Sequence, residues 1–198
     1  VASADPGKEA GGVDSNNRER WIGVYIGVIA VILAICSMGG NNATKEATLK
    51  NIEAANTWAF FQAKNMRRHL LRVQIDELEL QKTITANLTN EARTALEAKI
   101  AEYKKQDAEL TSNPERKEGL DELWERGKAL EAERDIAMQQ DPYFDYGEAF
   151  LQIAIVLGGV AIISGGLFVL SVSAVMGVLG AIMTVNGFTL LFTIPFIG

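Results

Sequence analysis

Residues 41–84 contain neither proline nor glycine. Nothing local stops one helix from running through all of them, and at 1.5 Å per residue it would reach roughly 60 Å. Along it Leu49, Ile52, Asn56, Ala59, Ala63, Met66, Leu70, Val73, Glu77, Leu80 and Ile84 alternate steps of three and four. This is a heptad seam of about five repeats, interrupted only by Asn56 and Glu77. A helix this long with one apolar stripe cannot bury that stripe by itself, so it calls for other helices and points to an all-α fold.

The rest of the composition separates into blocks. Residues 21–38 and 149–197 carry no charged side chain, and about a hundred residues between them are rich in Glu, Lys, Ala, Leu and Arg. The first block suffices for one membrane crossing, with Trp21 and Tyr25 placed as interfacial aromatics. The second is divided by Ser164-Gly165-Gly166 into two helices, about 145–163 and 167–186. The predicted architecture is therefore an integral membrane protein with three transmembrane helices and a long antiparallel helical-hairpin stalk. Its parts are a flexible polar tail (1–20), a first transmembrane helix (21–40), the stalk (41–142), and a transmembrane hairpin with an apolar C-terminal tail (143–198).

Connectivity sets the form of the stalk. The outward helix, residues 42–84, and a return limb of residues 90–110 and 114–140 have similar lengths, roughly 60 and 70 Å. The chain can thus come back to the bilayer by Tyr143. Gly39-Gly40-Asn41-Asn42 is a candidate kink at the membrane exit, Asn113-Pro114 a helix-start signal, and Asp141-Pro142 a stop. Leu96, Ile100, Tyr103 and Leu110 on the first return segment are expected inward. So are Leu120, Leu123, Trp124, Gly127, Leu130 and Ala137 on the second.

Several residues are candidates for helix packing and assembly. Gly23, Gly27, Ala30, Ala34 and Ser37 form a small-residue stripe on the first transmembrane helix, Ala154, Gly158 and Ala161 one on the second, and Ala174, Gly177, Ala181 and Thr184 one on the third. In lipid, where no hydrophobic force draws helices together, such stripes permit close backbone approach. Asn56 within the seam sets register or oligomer number, or else marks a frayed or hydrated turn. Trp58, Phe60 and Phe61 lie beside the seam. Burying a large aromatic gains about 2 to 3 kcal/mol, so these three call for a second helical neighbour. Gln152 and Asn186 are the strongly polar intramembrane residues, read as interhelical glue or as functional positions.

Chemistry-bearing patterns are sparse. His69 is the only histidine and Cys36 the only cysteine, which supports neither a metal site nor a cofactor ligand set. No phosphate loop or nucleophile elbow is present. A net charge of −6 argues against a nucleic-acid partner. The carboxylates sit beside Lys and Arg at helix-surface spacing.

Asn56-Thr57-Trp58-Ala59-Phe60-Phe61-Gln62-Ala63-Lys64, the run from Glu148 to Leu157, and Asn186-Gly187-Phe188 carry a resemblance. The chain resembles a domain-of-unknown-function family of bacterial membrane proteins with one N-terminal transmembrane helix, a coiled-coil stalk and a C-terminal transmembrane pair. The resemblance implies architecture from Trp21 onward and no activity. Members of that family carry basic residues in the turn where this chain has Ser164-Gly165-Gly166.

The expected function is that of a non-enzymatic structural or accessory membrane protein, without cofactor. Its partners are membrane lipid and either itself or other membrane subunits. The alternatives are a transport or channel component with Gln152 and Asn186 along its path, and a signal-transmitting stalk. Arg18 and Arg20 before the first span, against Lys45 and Lys50 after it, place the N-terminus in the cytoplasm and the stalk outside it. The expected location is the bacterial inner membrane.

Overall fold

The computed structural model describes residues 7–194, with side chains from Asn17 onward. Over that span the chain is all-α: α1 (Gly7–Ile84), α2 (Asn90–Thr111), α3 (Leu120–Ser164) and α4 (Leu167–Thr189). Three of these helices, α1, α3 and α4, contain stretches long and apolar enough to cross a membrane. The chain divides into two compact units. One is Thr48–Arg134, here the charged unit; the other comprises the chain up to Ala47 and from Asp135 onward, here the apolar unit. Both α1 and α3 contribute to each.

Four boundaries differ from the sequence reading. Residues 7–20, expected as a flexible tail, belong to α1; residues 1–6 lie outside the described span. Extending a helix that already exists costs far less than starting one. At Gly39-Gly40 the helix continues, because these glycines serve close packing: a Cβ on Gly39 would stand 2.5 Å from the Phe144 ring. Asp141-Pro142 does not end α3, which runs through Pro142. Proline in a helix interior costs about 3 kcal/mol or more, but burial recurs every seven residues on both sides of it, at Ala137, Phe144 and Leu151. Keeping the helix keeps those positions on one face.

The fourth difference is at the break between α2 and α3. Asn113 and Pro114 begin a turn, and α3 starts only at Leu120. The Glu122 carboxylate reaches back to accept from the Ser112 hydroxyl at 2.6 Å and the Asn113 N–H at 3.1 Å. The Asn113 side chain in turn accepts from the Arg116 N–H at 3.1 Å. Asn113 therefore caps a turn, and the helix-start role passes six residues down the chain.

Small residues bring the helices of the apolar unit together. Gly147, Ala154, Gly158 and Ala161 of α3 are buried, as are Ser173, Gly177, Gly180, Thr184 and Gly187 of α4. A Cβ on Gly180 would lie 2.6 Å from Leu151 Cγ, and one on Gly187 2.7 Å from Phe144 Cε1. The α1 segment of this unit buries Ile22, Ile29, Cys36 and Ala43, one residue per heptad. One hydroxyl relay joins all three helices: Tyr25 donates to the Ser173 carbonyl at 2.9 Å, and the Ser173 hydroxyl donates to the Ala154 carbonyl at 2.6 Å. Tyr25, expected at the membrane interface, thus points into the helix packing.

Candidate functional site

Within the charged unit, α1 presents two heptad faces. The inner one follows Lys50, Ala54, Thr57, Phe61, Lys64, Arg68, Leu71, Ile75, Leu78 and Lys82, again at steps of three and four. Ala54, Thr57, Leu71 and Ile75 are buried there, with Ile100 and Leu110 of α2 joining the same cluster as Leu71 and Ile75. The ion pairs fix the direction. Lys82 meets Glu97 at 2.6 Å, Glu79 meets Lys104 at 2.6 Å, Arg72 meets Asp107 at 2.8 Å, and Lys50 meets Glu133 at 2.6 Å. As the α1 number falls its partner's number rises, so α2 and the start of α3 run antiparallel to α1.

An aromatic knot closes the return side. Trp58 stands edge-on to Trp124 at 5.1 Å between centroids and to Phe61 at 5.7 Å. Its indole N–H donates to Glu131 at 2.9 Å. Gly127 makes the seat, since a Cβ there would come within 2.8 Å of the Trp58 ring. Trp124, expected inward, is half exposed.

These contacts set the electrostatics of the unit. The Arg72 guanidinium, bonded to Asp107, holds that carboxyl below its ordinary range. Lys82 does the same for Glu97, and Lys128 together with the Trp58 indole for Glu131. Glu122 is lowered chiefly by the Ser112 hydroxyl. Asp107 and Glu97 pair across the contact of α1 with α2, Glu131 ties α3 to Trp58 of α1, and Glu122 spans the break between α2 and α3. Among the described residues no group of three or more His, Cys, Asp and Glu side chains is placed to hold a metal ion.

The outer face of α1 carries the apolar seam itself. Every member from Leu49 to Ile84 is exposed, with Met66 at 61%, Leu70 at 60% and Ile84 at 68%. Asn56 is on this face, and Phe60 flanks it. Trp58 and Phe61 turn to the inner side and are half-buried. An apolar stripe of this length exposed on a water-facing helix would be a contact surface rather than scattered exposure.

The other candidates separate similarly. Ala154, Gly158, Ala161 and Gly177 are buried among the helices, Ala181 is half-buried, and Ala174 is exposed. Gly23, Gly27, Ala30 and Ala34 are exposed, and a Cβ on Gly23 or Gly27 would meet nothing within 4 Å. α1 packs instead on the bulkier face of Ile22 and Ile29. Gln152 is exposed and donates to Glu148 at 3.0 Å, one turn before it. Asn186 is fully buried. Its amide donates to the Phe192 carbonyl at 2.8 Å and accepts from the Phe192 N–H at 3.1 Å, clasping the chain that follows the left-handed Leu190 cap.

Sequence reasoning missed Tyr25, Ser173, Gly180 and Gly187. The signal for the last three was present: residues 173, 177, 180, 184 and 187 recur at steps of four and three and are all Gly, Ser or Thr.

Helices with membrane-length apolar stretches, joined to a charged antiparallel helical unit, define the class of this protein. Residues 18–190 match the model of DUF4337, a domain of unknown function, and the chain belongs to that family. Neither the comparison with curated proteins nor that with solved structures found a match.

Proposed function

We propose that this protein is a non-enzymatic structural or accessory membrane protein, anchored by three transmembrane helices, that assembles through the charged unit acting as an antiparallel helical-hairpin stalk. Either more copies of the chain or the subunits of a larger membrane complex are its partners, and lipid surrounds the apolar unit. The observation that carries this reading is the exposed seam from Leu49 to Ile84. α1 has an inner face already occupied by α2 and α3, and a second apolar heptad face outside it.

Bacterial inner-membrane residence, with a cytoplasmic N-terminus and the stalk on the far side, is the location that fits best. Arg18 supports it: a Cβ on Gly165 would lie 3.4 Å from the Arg18 guanidinium. The turn between α3 and α4 thus shares a positively charged end with the start of the first span, as the positive-inside rule expects on the cytoplasmic side.

The test is the mass of the full chain purified from its native membrane in mild detergent. Assembly predicts a multiple of 21.5 kDa or a co-purifying subunit. A lone protomer would defeat the proposal.

A further inference from the structure

We infer that the outer seam of α1 pairs with the same seam of a second copy of this chain, in parallel and in register, as a two-stranded coiled coil. The inference rests on the assembly reading above and names its partner. Leu49, Ile52, Asn56, Ala59, Ala63, Met66, Leu70, Val73, Glu77, Leu80 and Ile84 hold the a and d positions of successive heptads. That 3.5-residue period is what two supercoiled helices require of one another. The inner face uses positions b and f of the same repeat, so the return limb leaves a and d free.

Direction follows from insertion. Copies with the same topology in one bilayer send α1 the same way, so their seams meet in parallel about a two-fold axis. Each a-layer then faces its own counterpart, and Asn56 meets Asn56 of the second copy, a pairing that fixes register in parallel dimers.

The flanks agree with this register. The g and e positions that would face each other are Thr48 with Glu53, Ala55 with Phe60, Gln62 with Arg67, His69 with Gln74, and Asp76 with Gln81. None sets like charges opposite one another. Where the seam narrows to Ala59 and Ala63, the bulky Phe60 of one helix would lie against the small Ala55 of the other. A strip about 50 Å long and about 10 Å wide on each helix buries on the order of 1,000 Å² in total, the threshold for a specific interface.

Glu77 is the weak layer, because two carboxylates would face each other at an a position. This makes a variant that should improve the contact. Glu77→Leu should shift the monomer–dimer equilibrium of the full chain toward dimer by about tenfold, whereas removing an ordinary exposed carboxylate should leave the equilibrium unchanged.

The direct experiment is oxidative cross-linking of the full chain in proteoliposomes. Ala63→Cys on the seam is compared with Asn65→Cys, an exposed position off the seam, and with wild type, whose only cysteine, Cys36, is buried. The expected result is a covalent dimer of twice 21.5 kDa from Ala63→Cys alone, with circular dichroism unchanged in both variants. Equal cross-linking at both positions, or none at either, overturns the pairing. Should the wild type still run as a larger assembly in that case, the seam inference fails and the broader assembly reading stands. Should it run as a lone protomer, both fail.

Discussion

The apolar and charged units both seat bulky side chains over glycine, at Gly180 and at Gly127, but they differ in what else joins their helices. In the apolar unit the contacts are made by absence of bulk: Gly180 under Leu151, Gly39 and Gly187 under Phe144, and Gly177, where a Cβ would come within 2.9 Å of Ile29. One hydroxyl relay completes them. In the charged unit one such seat, Gly127 under Trp58, is joined by a cluster of Trp58, Phe61 and Trp124 and by ion pairs along the rims. The two solvents proposed for them explain the contrast. In lipid, side-chain burial gains little and close backbone approach gains most; in water, burying aromatic surface gains more.

Substitutions that exchange the two strategies should break the contrast most. Trp58→Ala removes the centre of the aromatic knot and should destabilise the charged unit by about 3 kcal/mol. A thermal melt followed by circular dichroism should show one transition falling and the apolar unit's transition unmoved. The reverse exchange, Gly180→Leu, forces a side chain into the space of Leu151 and should cost about 1 to 3 kcal/mol. Here the apolar unit's transition should fall. If both substitutions lower the same single transition, the two units do not unfold separately.

The relay offers a finer test. Tyr25→Phe and Ser173→Ala should each cost about 0.6 kcal/mol, the average for hydrogen bonds between membrane helices. A double-mutant cycle in detergent should show that the two losses do not add, because the Ser173 hydroxyl lies 3.1 Å from the Tyr25 hydroxyl. Simple additivity would separate the two bonds.

Acid should have the smallest effect, and it is expected on the charged unit. Asp107, Glu97, Glu122 and Glu131 are held below their ordinary range by Arg72, Lys82, Ser112 and Lys128 respectively. A depressed carboxyl contributes stability above its unfolded value, about 4, and loses it as pH falls through the lower folded value. The melting temperature of the charged unit should therefore be level from pH 7 to about 5 and decline below about 4. A decline starting near neutrality would contradict these pairings.

Much of this was legible in the residues. The seam stood out because Leu, Ile, Met and Val fill it, and the matched lengths of its outward and return limbs suggested an antiparallel return. What hid the inner face was its polarity. Lys50, Thr57, Lys64, Arg68 and Lys82 occupy it, and a pattern search discounts them, although long lysine stems cover apolar surface while their heads reach carboxylates. The Lys64 side chain is only 17% exposed. Similarly, Gly39-Gly40 and Pro142 are local breakers by type, and only the Phe144 ring and the seven-residue burial rhythm of α3 explain why the helices continue. Asn186 was singled out for polarity, but its partner, the backbone of Phe192, depends on a left-handed cap that the sequence does not mark.

The two faces of α1 are most directly told apart by a spin-label distance between copies. A single label on Met66→Cys, in a Cys36→Ala background reconstituted in lipid, should give one short, narrow distance between protomers, as parallel helices about 8 to 10 Å apart require. A label on Glu79→Cys, off the seam, should give a longer one. Absence of any dipolar coupling at position 66, or a shorter distance at 79 than at 66, would contradict a seam that faces its own copy.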